Sequence, residues 1–593
     1  MATITQSWAL PSPTAGDAWR ALHPDPVLAD LLWRRGFRDA AAVSSFLDAG
    51  ARAPETLLDA AERLPNLAVA VERGVRAVLD GEPIGIFGDY DADGTTAAAM
   101  LALFFRQANG AERVSVRLPS RETGYGLSEP DIEHFARHGG LLIVADTGST
   151  DHHHVPLAKA RGLDIVILDH HQIAPGDEGP AGAVTVSAYL LPDSTARDPL
   201  RDLTGAGLSW LYLVAIAAEL DRPDLQAFAA SLQDLAMLGT VADVADLRGL
   251  NRALVRDGLR LVRSQPRPAL VALCGTASLE PATLNATDAA MKLSPRLNAA
   301  GRMGEPMLAL DLLLAPDVDR AARLAHTLEQ RNTRRKAEMN RVIEESDLVL
   351  LRDIELPGGL SSDVLVALGD DWPGGVIGPA ASRIVEKYGK PVILLGPDGT
   401  EPGVSRGSAR SVPGFDIAKA LRSDAISALL IRSGGHSAAA GLTIRTEHIR
   451  DFAEALEREL DQSISDTARE KLGRPDLALD AELPGDRLTL DTAKLISRLG
   501  PFGPGNENPL FLVRALPVQR RTLMGKDPKR QHLKLFVGHR GQPPAEVILW
   551  GAGDRFPEAA AAETIDLAVR IGINRWNGQT KLEAIAADFR LAR

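Results

Sequence analysis

The sequence predicts an α/β protein, with a parallel sheet covered on both faces in its N-terminal half, a second α/β lobe beyond residue 348 and an all-β module at the C-terminus. Three observations carry this reading. Between residues 83 and 171, short continuous apolar runs alternate with helical stretches. Acidic residues and glycines close those runs, and strand-like pieces fill the chain from about residue 470 onward. Apolar runs without polar alternation suit strands buried on both faces of a parallel sheet.

The first 75 residues contain helical pieces (VLADLLWRRG, AAAVSSFLDAG) and no chemical motif, so they are expected to pack as a cap. From PIGIFGD through TTAAAMLALFFRQANG, RVSVRLPS, SEPDIEHFARHG, LLIVADTG and VPLAKARG to DIVILDHH the pattern reads as βα repeats. Ser128, three positions before Asp131, reads as a capping box that opens a helix. In such sheets ligands bind beyond the carboxyl ends of the strands. Those ends carry the acids: Asp89, Asp91 and Asp93 follow the first strand, Asp146 the third, and Asp169, His170 and His171 the fourth.

At 593 residues the chain exceeds one core and predicts about four domain-sized units. A composition of 45% hydrophobic and 24% charged residues is ordinary for a soluble protein. No run approaches the roughly 20 apolar residues of a membrane span, so no membrane partner is expected. The opening segment ATITQSWALPSPTAGD has neither the basic start nor the apolar run of a secretory signal, which makes the cytoplasm the expected compartment. A single cysteine, Cys274, excludes an internal disulfide framework and a multi-cysteine zinc site. A formal net charge of −12 argues against a uniformly basic nucleic-acid binder and leaves local patches open.

DYDADG, residues 89 to 94, begins like a calcium-binding loop, but Met100 stands where that loop needs a bidentate Glu, and a strand precedes it. A solvated Asp-Gly turn explains the hexapeptide alone; it does not explain Asp146 and Asp169-His170-His171 at the equivalent ends of neighbouring strands. Clustered carboxylates need a counter-charge. Two divalent cations supply one while holding a phosphate, activating a water and neutralising the leaving oxygen, so the pattern points to phosphoester hydrolysis. Carboxylates with one imidazole favour Mn2+ or Mg2+ over zinc. Consecutive His152, His153 and His154 point in different directions on a helix and are read as exposed helix-start residues.

DYDADG, VADTG (144 to 148), DHH (169 to 171) and GTVADVADL (239 to 247) resemble the four motifs of the DHH phosphoesterases, and nearly the whole chain resembles the RecJ exonucleases within that superfamily. The resemblance implies that Asp91 and Asp146 hold one metal and that Asp93, Asp146, His170 and Asp243 hold the other, with Asp146 shared. It makes Asp89 and Asp169 supporting partners, and it turns His171 toward the scissile phosphate as charge stabiliser or acid. Two positions depart from the pattern: Phe87 stands where many members have His, which predicts a weaker first metal site, and Thr147 replaces Asn or Cys. His152 matches a histidine of the family motif.

The rest of the chain separates nucleases from other members. SPRLNAAGRMGEP (294 to 306) resembles a RecJ segment, and its Arg296 and Arg302 suit bidentate phosphate contacts. Residues 350 to 460 resemble the DHH-associated domain through IGPAASRIVEKYGKPVILL, RGSARSVPGFD and SGGHSAAAGLTI. By that resemblance Ser408 and Arg410 bind a terminal 5′-phosphate with Arg302, and His436 reaches the scissile region. Gly434 and Gly435 let phosphate approach backbone amides. Ala409, where relatives have Gly, is expected to narrow that approach. Arg121 and Tyr125 in RETGYG are candidate contacts to backbone and base, balanced against an ordinary glycine turn. The polar helical stretch AARLAHTLEQRNTRRKAEMNRVIEE reads as a connector.

PFGPGNENP and INRWNGQTKLEA resemble the RecJ oligonucleotide-binding domain. Between Arg514 and Arg540 eight basic residues face one acid, Asp527, which marks the patch that net charge conceals. Trp576 is weighed as a stacking residue against a packed core residue. The expected domains are an N-terminal helical cap (1–75), a DHH catalytic domain (76–310), an interdomain helix (311–348), a DHH-associated domain (349–468) and an OB-like nucleic-acid-binding domain (469–593).

The expected function is metal-dependent 5′ to 3′ exonucleolysis of single-stranded DNA, releasing nucleoside 5′-monophosphates in DNA repair and recombination. The expected partners are single-stranded DNA, a single-strand-binding protein and a helicase, with the chain acting as a monomer. Two alternatives are carried: a phosphodiesterase of short oligonucleotides or signalling dinucleotides, and a catalytically weakened DNA-binding scaffold.

Overall fold

The computed structural model describes residues 8–10, 12, 14, 16–47, 62–119, 126–191, 198–352, 362–399, 401–470, 472, 477–526, 531–539, 543–576 and 578–592. It divides into two units: residues 10–329 with 479–593, and residues 330–478 with the strand Trp8–Ala9, which pairs with Leu477–Ala478.

The first unit contains a five-stranded, all-parallel sheet of β1 (Ile84–Gly88), β2 (Val114–Arg117), β3 (Leu141–Ala145), β4 (Asp164–Leu168) and β5 (Ala183–Val186). The strand order is β2-β1-β3-β4-β5. Every residue of β1 and β3 is buried, as their uninterrupted apolar runs require. Alternate side chains enter two cores. Ile84, Ile86, Ile143 and Leu168 join the core built with the helices Ala92–Asn109, Gly205–Glu219 and Gln233–Ala242, while Phe87, Val144 and Ile167 join a smaller core with Ile132 and Phe135. This order places the topological switch between β1 and β3, where the crevice beyond the strand ends opens.

Ser128 does precede the helix Glu129–Ala136, but its hydroxyl donates to the Asp131 carboxylate and caps no backbone N–H. Asp131 is more strongly claimed by Arg117, at 2.7 Å.

A barrel completes this unit: after the two-residue β11 (Ala481–Glu482), the five strands β12 (Leu510–Met524), β13 (His532–Val537), β14 (Ala545–Leu549), β15 (Thr564–Trp576) and β16 (Gln579–Leu591) form a ring closed by pairing of β12 with β15, and β11 adds to β12 outside it. The stretch read as one N-terminal cap serves two cores. Leu28, Leu31, Leu32 and Val43 pack into the barrel with Phe511, Leu535 and Phe589, whereas Leu67 and Ala70 belong to the core under the parallel sheet. Asp25 starts the first of these helices by accepting from the amides of Val27 and Leu28, with Pro26 at its first position.

In the second unit, β6 (Leu365–Leu368), β7 (Val392–Pro397), β8 (Val404–Arg410), β9 (Leu430–His436) and β10 (Ala439–Arg445) form a sheet in the order β9-β10-β8-β7-β6. Only β6 and β7 are parallel; the other pairs are antiparallel. The 35-residue helix Val318–Arg352 carries the chain from the first unit into the second. No helix among the described residues is long and apolar enough to cross a membrane.

Candidate metal centre

The carboxylates gather because each terminates a buried strand at the switch point. Asp91 caps the helix Ala92–Asn109, its Oδ1 accepting from the amides of Asp93 (2.9 Å) and Gly94 (3.1 Å). That turn aims Asp93 inward, where its two oxygens accept from Gly205 N (2.7 Å) and Ala206 N (3.0 Å) at the start of the helix Gly205–Glu219. A helix N-terminus favours a negative group there. Asp146 sits at φ 61° immediately after β3, a conformation a non-glycine residue adopts only when its surroundings impose it.

Three groups of ligand atoms result, each within 4.8 Å: Asp89, Asp91 and Asp146; Asp93, His170 and Asp243; and Asp146, His170 and His171. His170 Nε2 joins them, lying 3.0 Å from Asp146 Oδ1 and 3.8 Å from both Asp93 Oδ2 and Asp243 Oδ2. Asp146 Oδ1 is fully buried and takes part in no well-formed hydrogen bond, its close polar neighbour being His170 Nε2, itself a ligand candidate. Three glycines keep the space clear. A Cβ at Gly205 would lie 2.5 Å from Asp146 Cβ, one at Gly239 2.7 Å from Asp93 Oδ1 and one at Gly94 2.5 Å from Asp89 N.

Burial and mutual repulsion set the charges. Burial, then the neighbouring Asp91, push Asp89 up to about 8. Burial, then Asp93 and Asp91, push Asp243 up to about 8, and Asp91 and Asp146 are raised for the same two reasons. The His171 charge offsets only part of this repulsion, and the donor set of oxygens and one imidazole fits divalent cations of the Mn2+ or Mg2+ kind. Beside it, Asp169 is held ionised: burial opposes its charge, but His171 Nδ1 at 2.8 Å and Ser149 N at 3.0 Å lower its pKa below the usual carboxylate range. Burial also opposes the charge on His171, and Asp169, Asp89 and Asp243 overcome it, raising the imidazole to about 9. His171 is therefore a cation at neutral pH, with Nε2 its remaining donor.

Models of known families match residues 83–240 (DHH family, N-terminal domain), 361–462 (DHHA1 domain) and 479–588 (RecJ OB domain). The single-stranded-DNA-specific exonuclease RecJ of Dickeya dadantii is 33% identical over 547 residues, covering 88% of this chain and 90% of that protein. The chain belongs to the RecJ family. RecJ of Escherichia coli is 31% identical over 549 residues, covering 88% of this chain and 90% of the relative. The crystal structure of Thermus thermophilus RecJ in complex with Mn2+ superposes with a TM-score of 0.78 at 28% identity, covering 98% of this chain and 79% of that one.

In this RecJ family member the remaining candidates fall into three groups. Ser408, Arg410, Gly434 and His436 share one sheet face, since Ser408 pairs through Gly441 with Gly434, and Arg410 through Ala439 with His436. Arg410 donates to Ser408 Oγ (2.9 Å) and Ser382 Oγ (3.1 Å), and a Cβ at Gly378, in the helix Gly374–Tyr388, would lie 2.9 Å from its Nη2. Gly435 faces the other way at φ 148°, where an added Cβ would strike the next strand. Ala409 also points away, fully buried in the opposite core, so its methyl does not narrow the phosphate approach.

Arg296 corrects the sequence reading. Its guanidinium is buried, with Nε 2.6 Å from Glu329 Oε2 and Nη2 donating to Thr276 O at 3.1 Å, so it braces protein and does not face a phosphate. Arg302 is half-buried in the last turn of the same helix, Ser294–Arg302. That helix supplies a residue the sequence reading missed: Asn298 Oδ1 accepts from Ala92 N at 2.8 Å and steadies the Asp91–Asp93 turn. Phe87 is fully buried in the smaller core and Thr147 is buried beside Asp146.

Arg121 and Tyr125 lie outside the described residues, as do Lys529, Arg530 and Arg540 of the basic stretch and the side chain of Trp576. Within that stretch Arg514 pairs with Glu482, Lys534 pairs with Glu546 and Arg520 covers Phe536. Among the described residues of the barrel domain, Trp550 is an exposed aromatic, edge-on to His532 at 4.7 Å. His152 pairs with Asp177 and His154 with Asp151, apart from the metal centre.

Proposed function

We infer that this chain is a metal-dependent single-stranded-DNA-specific exonuclease that hydrolyses phosphodiester bonds from the 5′ end and releases nucleoside 5′-monophosphates. The observation that carries the reading is Asp146, whose buried carboxylate is shared by clusters of oxygen and imidazole donors and lies 3.0 Å from His170 Nε2, in a chain alike to RecJ exonucleases over most of its length. Asp91 and Asp146 hold one ion, and Asp93, Asp146, His170 and Asp243 hold the second. When bound, the two ions, Mn2+ or Mg2+, offset the phosphate charge and lower the pKa of the attacking water.

The protein side chains do the rest. Asp169 fixes His171 by its Nδ1, leaving a cationic Nε2–H to face the scissile phosphate as it gains charge. Ser408 and Arg410, beside the glycines of β9 and β10, hold the terminal phosphate as charge-assisted acceptors require. His436 on the same face turns to the scissile region. The barrel binds the strand behind the end by its basic residues and by stacking on Trp550. Repair and recombination, with a single-strand-binding protein and a helicase as partners, are the setting that suits such an enzyme, and the chain acts as a monomer in the cytoplasm.

The test is a time course with Mn2+ and a 5′-phosphorylated oligonucleotide labelled at either end, beside a duplex and the Asp93→Ala protein. Early release of 5′-terminal mononucleotide from the single strand alone, lost in Asp93→Ala, is the expected result. Cleavage of dinucleotides with long strands left intact would make the chain a small-substrate phosphodiesterase, and binding without cleavage would make it a scaffold.

A further inference from the structure

The loop that carries Asp243 is short and strained. Asp243 ends the helix Gln233–Ala242, Val244 follows at φ 59°, and the next helix starts at Gly249. A β-branched residue in this left-handed region is a backbone outlier, which persists only where the surroundings over-determine it. Part of the hold is local: Val244 N donates to Val241 O and Ala245 N to Thr240 O, both at 3.4 Å, in the pattern of a left-handed helix C-cap, and a further constraint acts on the loop beyond Ala245.

That further constraint comes from the barrel domain, more than 250 residues away in sequence. Leu247 N donates to Pro504 O at 2.7 Å. Leu247 is buried, and a Cβ at Gly503 would lie 2.6 Å from its Cδ1. Gly505, at φ 69°, lies so close to Asp246 that any Cβ there would overlap the carboxylate, which Arg248 Nε holds from the other side at 2.7 Å. The loop is itself closed. Gly503 and Asn506 exchange backbone hydrogen bonds, Asn506 Nδ2 donates to Leu499 O (2.9 Å) and Pro501 O (2.7 Å), and Arg35 of an N-terminal helix donates to Asn506 Oδ1. Arg252, on the helix after the strained loop, donates to Leu499 O at 2.8 Å.

We propose that the loop Pro501–Glu507 of the barrel domain is a positioning element of the metal centre: by clamping Asp246 and Leu247 it holds Asp243 in place for the second ion. The barrel then does more than bind DNA, because the metal centre is incomplete without its docked loop. This rests on the metal-site reading above, and the experiment separates the two. In full-length Gly505→Ala and Asn506→Ala, Mn2+ affinity is measured from the electron paramagnetic resonance of free Mn2+, and single-strand affinity is measured in chelator. Arg555→Ala, which breaks barrel contacts to Asp588 and Phe589, serves as the control for simple destabilisation. The expected result is a loss of Mn2+ affinity of about tenfold to a hundredfold, the range for removing a ligand's supporting contact, with single-strand affinity within about twofold and Arg555→Ala unchanged in both. Unchanged Mn2+ affinity in both loop variants overturns the proposal, as does an equal loss in Arg555→Ala. A wild-type protein that binds no Mn2+ would instead sink the metal-site reading itself.

Discussion

His171 draws its charge chiefly from one neighbour. The 2.8 Å hydrogen bond between them lowers the pKa of Asp169 and, with Asp89 and Asp243, raises that of the imidazole to about 9 against its burial. Replacing Asp169 with Asn should return His171 toward the ordinary ~6.5, read as its NMR titration midpoint, and should cut turnover by about tenfold to a hundredfold. The sign for stability follows from the raised value. The pair's contribution is complete below the unfolded histidine pKa and is lost as pH rises through about 9. Wild type should therefore lose an increment of stability across that window that Asp169→Asn lacks; identical profiles would contradict the assignment. At this scale the acids were legible in the sequence, because each closes an apolar run. Ala409 was misread as narrowing the phosphate approach, although side chains alternate along a strand and a neighbour of Ser408 and Arg410 must face the other way. Arg296 was not legible, because residue type alone does not say whether an arginine meets solvent or a buried glutamate.

The helix Gly205–Glu219 supplies the amides that hold Asp93 and the open space that holds Asp146. A methyl at Gly205 falls 2.5 Å from Asp146 Cβ and must displace it. Gly205→Ala should cost about 1–3 kcal/mol of stability, as overpacking does, and weaken Mn2+ binding at least tenfold by calorimetric titration; full Mn2+ affinity would show that the glycine is not needed for clearance. The element was foreseeable as a helix but its role was not, since Asp93 and Gly205 are joined only by the tertiary fold. The βα repeats, by contrast, follow from local pattern: buried parallel strands cannot alternate polar residues, and β1 and β3 do not.

Across the whole molecule the metal centre is a store of unfavourable charge. Asp89 and Asp243 have pKa values raised to about 8, and a raised carboxyl stabilises the fold at low pH and loses that contribution as pH rises through the folded value. Without metal, the protein should grow less stable from about pH 5 to pH 9 at these sites, and Mn2+ should restore stability most at the alkaline end. Thermal melts with Mn2+ or chelator should diverge as pH rises; parallel curves would contradict the charge assignment. The three-part build of α/β core, second α/β lobe and C-terminal barrel was readable from composition and motif. The contribution of Leu28, Leu31 and Leu32 to the barrel was not, because nothing local tells which distant core an amphipathic helix will complete. The most direct test of the account is the Mn2+ stoichiometry of the full-length protein and of Asp146→Ala, by equilibrium dialysis. Two ions per chain, with both sites weakened by this one substitution, is the predicted result; two ions bound with unchanged affinity in Asp146→Ala would contradict a centre built around a shared Asp146.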